Sequence, residues 1–242
     1  MIYVLKTFSE SSDFDVVDSK NITEINLLEI EIYDFDIKLE FLESIDYLII
    51  TSKNAIRAIL AHRYKDIFLQ KNAILIGEAT KQMWVDSKGR VEYCPKIASI
   101  GKEIASYMLK NMQIKDKNIL YICGEQKASN FKEMLENHCN IHEITAYKSV
   151  ENTKLIHIIK QNIDTFFAKN SIFIFGSPKH YNVFMKYFSW DKTWTAISLG
   201  KTTFNAFSKN IKKINANGNF KDAINVALEL ESRLINNGLK ET

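Results

Sequence analysis

Short apolar runs rich in β-branched and aromatic residues recur along this chain, and most are followed by a stretch with helical periodicity. The runs lie at 1–5, 47–50, 73–76, 91–93, 118–122, 171–175, 195–199 and 211–215. Helical stretches lie at 54–64, 78–85, 100–110, 130–137, 178–187, 202–210 and 220–234. Strands that alternate with helices are joined by crossovers, which set the strands parallel and cover the sheet with helices on both faces. A strand covered on both faces reads as a continuous apolar run, and these runs do. The expected fold class is α/β.

Two segments depart from that pattern. Residues 27–35 (LLEIEIYDF) and 142–150 (HEITAYKSV) alternate apolar and polar side chains with period two, the mark of strands with one solvated face. They flank a block with four strand–helix units. The expected organisation is an inserted domain: residues 1–26 plus 153–242 form one discontinuous α/β domain, and 37–141 form a second. Residues 27–36 and 142–152 are then two antiparallel connecting strands. One continuous doubly wound sheet is the other arrangement that the pattern allows.

Composition narrows the functional classes. The 242 residues carry 46% hydrophobic and 25% charged side chains, ordinary for a globular protein with a real core. A net charge of +3 announces no nucleic-acid partner, although it is compatible with a small anion held by local donors. The three cysteines, Cys94, Cys123 and Cys139, form no CxxC pair and no Cys/His ligand cluster. Neither a disulfide framework nor a metal site is expected, and free thiols fit a reducing compartment. The leading MIYVLKTF has no basic start or long apolar segment, so it does not read as a signal peptide. No apolar run approaches the roughly 20 residues of a membrane helix. The expected location is the cytoplasm, with no membrane partner.

Four strand ends resemble one another. The run at 47–50 leads into Thr51-Ser52-Lys53-Asn54, and that at 73–76 into Gly77-Glu78-Ala79-Thr80. The run at 171–175 leads into Gly176-Ser177-Pro178, and that at 195–199 into Gly200-Lys201-Thr202-Thr203. Each sets a small or hydroxylated residue where a parallel strand gives way to a helix, the edge at which open α/β sheets bind ligands. Helix N-termini offer unpaired N–H groups and a positive dipole end to anions. The same residue types are also ordinary N-caps. Four such ends together suggest a ligand with several negative groups.

Other chemistries lack their signatures. There is no G-x-G-x-x-G, no phosphate-cradling G-x-x-x-x-G-K-[ST] and no G-x-S-x-G elbow. A response-regulator reading needs an acidic pair after the first strand, where Lys6-Thr7-Phe8-Ser9 stands. His62, His138, His142, His157 and His180 show no metal-ligand spacing and read as surface or packing residues.

The ordered set of motifs resembles the uroporphyrinogen-III synthase family. It runs from Tyr47-Leu48-Ile49-Ile50-Thr51-Ser52 through Ile76-Gly77-Glu78-Ala79-Thr80 to Cys123-Gly124-Glu125. It continues with Ile144-Thr145-Ala146-Tyr147, Phe175-Gly176-Ser177-Pro178 and Leu199-Gly200-Lys201-Thr202-Thr203. The resemblance implies two α/β domains joined by a two-stranded antiparallel connector, with the active site in the cleft between them. It implies a monomeric lyase of porphyrin and haem biosynthesis that closes hydroxymethylbilane with loss of water and inversion of ring D. No cofactor is implied; a transient contact with the preceding pathway enzyme is. By motif position Tyr147 is the expected catalytic general acid. Thr51, Ser52, Gly77, Thr80, Gly124, Glu125, Lys127, Ser177, Pro178, Gly200, Thr202 and Thr203 are the expected substrate-binding residues. The chain departs from the family at Ala128, where an arginine is frequent, at His138, in place of a glycine, and at Lys6-Thr7. The competing reading is a non-catalytic two-lobe binding protein for an anionic small molecule.

Overall fold

A computed structural model describes residues 1–7, 21–95, 101–127 and 129–238. Phe8, Ser9, Ile100 and Ala128 lie outside the described residues. The elements begin with β1 (Ile2–Thr7), β2 (Ile22–Ile32), α1 (Leu39–Ser44), β3 (Tyr47–Ile50), α2 (Lys53–Ala61), α3 (Lys65–Gln70) and β4 (Asn72–Leu75). Next come α4 (Glu78–Asp86), β5 (Val91–Tyr93), α5 (Gly101–Asn111), β6 (Asn118–Gly124), α6 (Phe131–Leu135) and β7 (Asn140–Glu151). The remainder are α7 (Thr153–Gln161), α8 (Ile163–Phe166), β8 (Ile172–Phe175), α9 (Pro178–Tyr187), β9 (Thr195–Ser198), α10 (Lys201–Ala206), β10 (Lys212–Asn215) and α11 (Phe220–Gly238).

The chain divides into two compact units. Unit 1 is Met1–Glu29 with Val150–Thr242, and unit 2 is Ile30–Ser149. In unit 1 the strand order is β10-β9-β8-β1-β2, and every pairing is parallel. The apolar runs supply both of its faces. Tyr3, Leu5, Phe173 and Phe175 point into one core with Phe184, Phe188 and Trp194, while Ile2, Val4, Ile172, Ile174 and Ile197 point into the other with Ala223, Ile224 and Ala227 of α11. Successive residues of a strand point to opposite faces, so an unbroken apolar run fills two cores at once.

Unit 2 has the order β7-β6-β3-β4-β5, again parallel throughout. Leu48, Ile50, Leu75, Leu120 and Ile122 face a core closed by α2 and α4, and Ile49, Ile74, Ile119 and Tyr121 face one closed by α5 and α6. The two units share one spatial strand pattern, entered by the chain at different strands. In unit 1 the winding reverses between β1 and β8, and in unit 2 between β3 and β6.

Several expectations are corrected in detail. The helix expected at 54–64 ends early, because α2 stops at His62, and a further helix, α3, starts at Lys65. That imidazole is buried, stacks on Phe35 at 4.7 Å and accepts the Tyr64 N–H at 3.0 Å, which turns the chain before α3. The first alternating strand begins earlier than 27 and ends at Ile32, and the second extends past 142–150 at both ends. The first part of β2, from Ile22 to Leu28, pairs in parallel with β1. Likewise β7 pairs in parallel with β6 from Asn140 to Tyr147. Each is a member of a sheet before it is anything else.

Candidate active site

In open parallel sheets, ligands sit beyond the carboxyl ends of the strands where the winding reverses. Those places are β1/β8 in unit 1 and β3/β6 in unit 2, and each is built by residues that can be read one by one.

In unit 2, β3 ends at Ile50 and hands over to Thr51 and Ser52. Ser52 is extended (φ −154°, ψ 142°) and caps α2, its Oγ accepting the Asn54 N–H at 3.1 Å. Thr51 Oγ1 lies 3.4 Å from Tyr121 Oη, a contact that spans the reversal point from β3 to β6. Burial pushes the Tyr121 phenol up to about 12. At the end of β6, Gly124 stands against Tyr147 of β7. The β6–β7 register shifts between Cys123 and Gly124, and Ala146 and Tyr147 both pack toward the core containing Leu48 and Ile50. A bulge breaks the strict alternation and re-aims the side chain that follows it. It turns Tyr147 onto the α2 side, where the Ser52 hydroxyl hydrogen-bonds its phenol. Burial raises the Tyr147 pKa above the ordinary tyrosine value, the Ser52 contact opposing it. The phenol is therefore a neutral donor across the physiological range.

The remaining expected residues of unit 2 are placed as follows. Glu125 donates its backbone N–H to the Tyr147 carbonyl at 2.9 Å, which fixes the loop after β6 to the same strand. Lys127 is ion-paired with Glu143, and that pairing raises its pKa. Glu143 Oε1 is buried without a hydrogen-bond partner. Gly77 caps α4 with φ +88°, a conformation that side chains rarely adopt. The Thr80 N–H donates to the Gly77 carbonyl at 3.1 Å, and Thr80 is itself buried.

In unit 1 the reversal lies between β1, ending at Thr7, and β8, ending at Phe175. The Gly176 N–H donates to the Leu5 carbonyl at 3.1 Å, tying the turn after β8 to β1. Ser177 is extended (φ −160°, ψ 165°) and caps α9, with Pro178 in the first helical position. Its Oγ lies 2.7 Å from Nδ1 of His180, whose Nε2 lies 3.2 Å from Thr7 Oγ1. The ring also hydrogen-bonds the Lys6 carbonyl, and burial lowers the His180 pKa to about 4. At the next strand end, Gly200 precedes α10 and accepts the Phe204 N–H at 3.0 Å. Thr202 is exposed and Thr203 is 5% exposed, so the two hydroxyls of this turn do not share an environment.

The structure thus gathers Thr51, Ser52, Gly124, Glu125 and Tyr147 at one reversal point and Ser177 and Pro178 at the other. Gly77 with Thr80, and Gly200 with Thr202 and Thr203, stand one strand further out in their units. Lys127 is engaged by Glu143. Sequence reading missed His180 and Tyr121. His180 is the third helical residue of a Ser-Pro-Lys-His start, the place a capping box gives to a polar side chain, a signal that by itself does not separate it from a packing residue. Tyr121 carries no such signal, since it sits in an apolar strand. Among the described residues, no group of three or more His, Cys, Asp or Glu side chains is placed to hold a metal, and no helix is long and apolar enough to cross a membrane.

Comparison with known proteins adds independent findings. Residues 19–216 match the family model described as uroporphyrinogen-III synthase HemD. Among solved structures, the chain is similar to uroporphyrinogen-III synthetase from Helicobacter pylori, with a TM-score of 0.70 and 21% identity over 95% of this chain and 100% of that one. It is also similar to a mutant uroporphyrinogen III synthase from the extremely thermophilic bacterium Thermus thermophilus, with a TM-score of 0.51 and 8% identity over 89% and 90% of the two chains. At these identities the solved structures speak for the fold. No curated relative matches the chain.

Proposed function

We propose, from the premise that this chain belongs to the uroporphyrinogen-III synthase family, that both strand-end sites serve one substrate and that Tyr147 assists the departure of its hydroxyl. The enzyme is a cyclising lyase of tetrapyrrole and haem biosynthesis. It converts hydroxymethylbilane to uroporphyrinogen III with loss of water and inversion of ring D. The family match over residues 19–216 carries this assignment.

The chemistry places modest demands on side chains. Loss of the hydroxyl leaves a cationic azafulvene, and attack at a substituted pyrrole carbon gives a spiro intermediate that opens to the inverted ring. Closing the ring at the right carbon is chiefly a matter of holding an octa-carboxylate in a folded shape. Helix N-termini at the ends of β3, β4, β8 and β9, with the exposed hydroxyl of Thr202, suit carboxylates. The Tyr147 phenol, kept protonated by burial, suits proton donation to a leaving hydroxyl.

The reading includes an inserted second domain, residues 37–141, and a connector in which β2 and β7 run antiparallel. Two hydrogen bonds support that connector: Tyr33 N–H to the Ala146 carbonyl at 2.9 Å, and Asn152 N–H to the Leu27 carbonyl at 2.8 Å. It includes a monomer in the cytoplasm that receives hydroxymethylbilane through transient contact with the preceding pathway enzyme. The assay couples purified protein to a source of hydroxymethylbilane and separates the type I and type III isomers. Type III product is expected, and type I product alone would sink the assignment.

A further inference from the structure

The Ser177 hydroxyl has one proton to give, and His180 decides where it goes. The His180 side chain is 5% exposed and enclosed by its own turn and the end of β1. One ring nitrogen, Nδ1, is 2.7 Å from Ser177 Oγ. The other, Nε2, is 3.2 Å from Thr7 Oγ1, and the ring hydrogen-bonds the Lys6 carbonyl. A carbonyl only accepts, so the nitrogen facing it carries the hydrogen. With Nδ1 occupied by Ser177, that nitrogen is Nε2, beside Thr7. Nδ1 of the neutral ring is then a lone-pair acceptor, and the short contact to it requires the Ser177 O–H to donate. The Ser177 oxygen also takes the His180 backbone N–H at 3.5 Å, closing a small ring at the start of α9.

We propose that His180 is a positioning residue for the substrate: it holds the Ser177 proton away from the ligand and ties the turn after β8 to the end of β1. This inference rests on the reading that the β8–α9 turn binds a substrate carboxylate. With the hydroxyl proton committed to the imidazole, Ser177 meets an anion through its turn's backbone N–H groups rather than through its side chain. The imidazole acts on substrate through the geometry of that turn. It touches no reacting atom.

The test is a double-mutant cycle of Ser177→Ala and His180→Leu, read as kcat and KM for type III product, on variants shown to be folded. If His180 works through Ser177 and its turn, His180→Leu raises KM about tenfold, with kcat falling much less, and adding Ser177→Ala raises KM little further. Additive effects, or a loss carried by kcat, would overturn the proposal. His180→Asn keeps an acceptor where Nδ1 stands and is expected to bring KM back toward the wild-type value; Asn as damaging as Leu counts against the proposal. Nitrogen-15 NMR of the wild-type protein at neutral pH gives a readout independent of turnover. It is expected to show His180 protonated on Nε2, and the opposite tautomer would refute the assignment. A wild-type protein making no type III isomer would refute the functional reading while leaving the tautomer result standing, so the two failures are distinguishable.

Discussion

A Cβ placed on Gly124 would stand 2.7 Å from Tyr147 Cε2 and 2.8 Å from its Cζ, so the bare backbone of β6 is what makes room for the phenol ring of β7. Gly124→Ala must displace that ring or strain the strand. The expected cost is about 1–3 kcal/mol, as for other overpacked sites, together with reduced activity. Truncating the ring should remove most of that cost. Denaturant unfolding of Gly124→Ala in the wild-type and Tyr147→Ala backgrounds checks this, and equal penalties in both would mean that the ring is not what the glycine accommodates.

Tyr147→Phe removes only the hydroxyl and leaves the ring in place. If the phenol is the general acid, formation of type III product slows by about 10²–10⁴ while the melting temperature changes little. Because burial raises the Tyr147 pKa, the donor form persists through the neutral and mildly alkaline range. The wild-type rate should therefore show no alkaline limb from this group below its ordinary pKa of about 10. A wild-type turnover rate for the phenylalanine variant would reassign Tyr147 to packing.

His180 makes an acid-side prediction. Its folded pKa, lowered to about 4 by burial, lies below the unfolded value, so the unfolded chain binds the proton more readily. The neutral ring costs nothing above the unfolded pKa. As pH falls from about 6.5 to 4, stability should drop by roughly 3 kcal/mol from this group and then level off. The difference in unfolding free energy between wild type and His180→Asn, followed by urea titration across that range, isolates it from the carboxylates. A difference that does not change with pH would show that the ring is not held neutral by the fold.

Thr202 and Thr203 should part company. Thr202 is exposed, so Thr202→Ala is expected to leave stability unchanged and to lower kcat/KM about tenfold or less, as losing one hydroxyl hydrogen bond would. Thr203 is 5% exposed, and Thr203→Ala should appear mainly as lost stability. Thermal melts beside steady-state kinetics separate them, and the reverse pattern would mean that Thr203 reaches the substrate.

The strands were legible because burial on both faces demands unbroken apolar runs, and Leu48-Ile49-Ile50 or Phe173-Ile174-Phe175 can be little else. Strand ends were legible too, since Ser52 and Ser177 are strong caps wherever they stand. The helices α1, α3, α7 and α8 escape sequence reading; α7 is as long as α2, but α1, α3 and α8 are short. In α1, α3 and α8 the few apolar positions, such as Leu42 or Phe68, give too brief a period to separate from loop. The alternation at 27–35 hides the start of β2, whose Leu27 and Leu28 are both buried beside a register irregularity against β1. At the site, the motif order locates Tyr147 but not the bulge that aims it, because a bulge depends on the partner strand. His180 is indistinguishable from a surface or packing residue in the sequence, because helix position alone does not reveal that β1 closes over it.

Unit 2 is contiguous and unit 1 is not, and this matters while the chain is being made. Strands β1 and β2 leave the ribosome before unit 2, but β8, the neighbour of β1 on its other side, cannot arrive until all of Ile30–Ser149 has been synthesised. At about 5–20 residues per second that delay is on the order of ten seconds, far longer than a compact α/β unit needs to collapse. Unit 2 is thus complete while Ile2, Val4 and Leu5, wholly buried in the finished protein, still await β8 and α11. Through that interval the apolar residues of β1 lack half of their cover, and their safety rests on translation of β8 keeping pace.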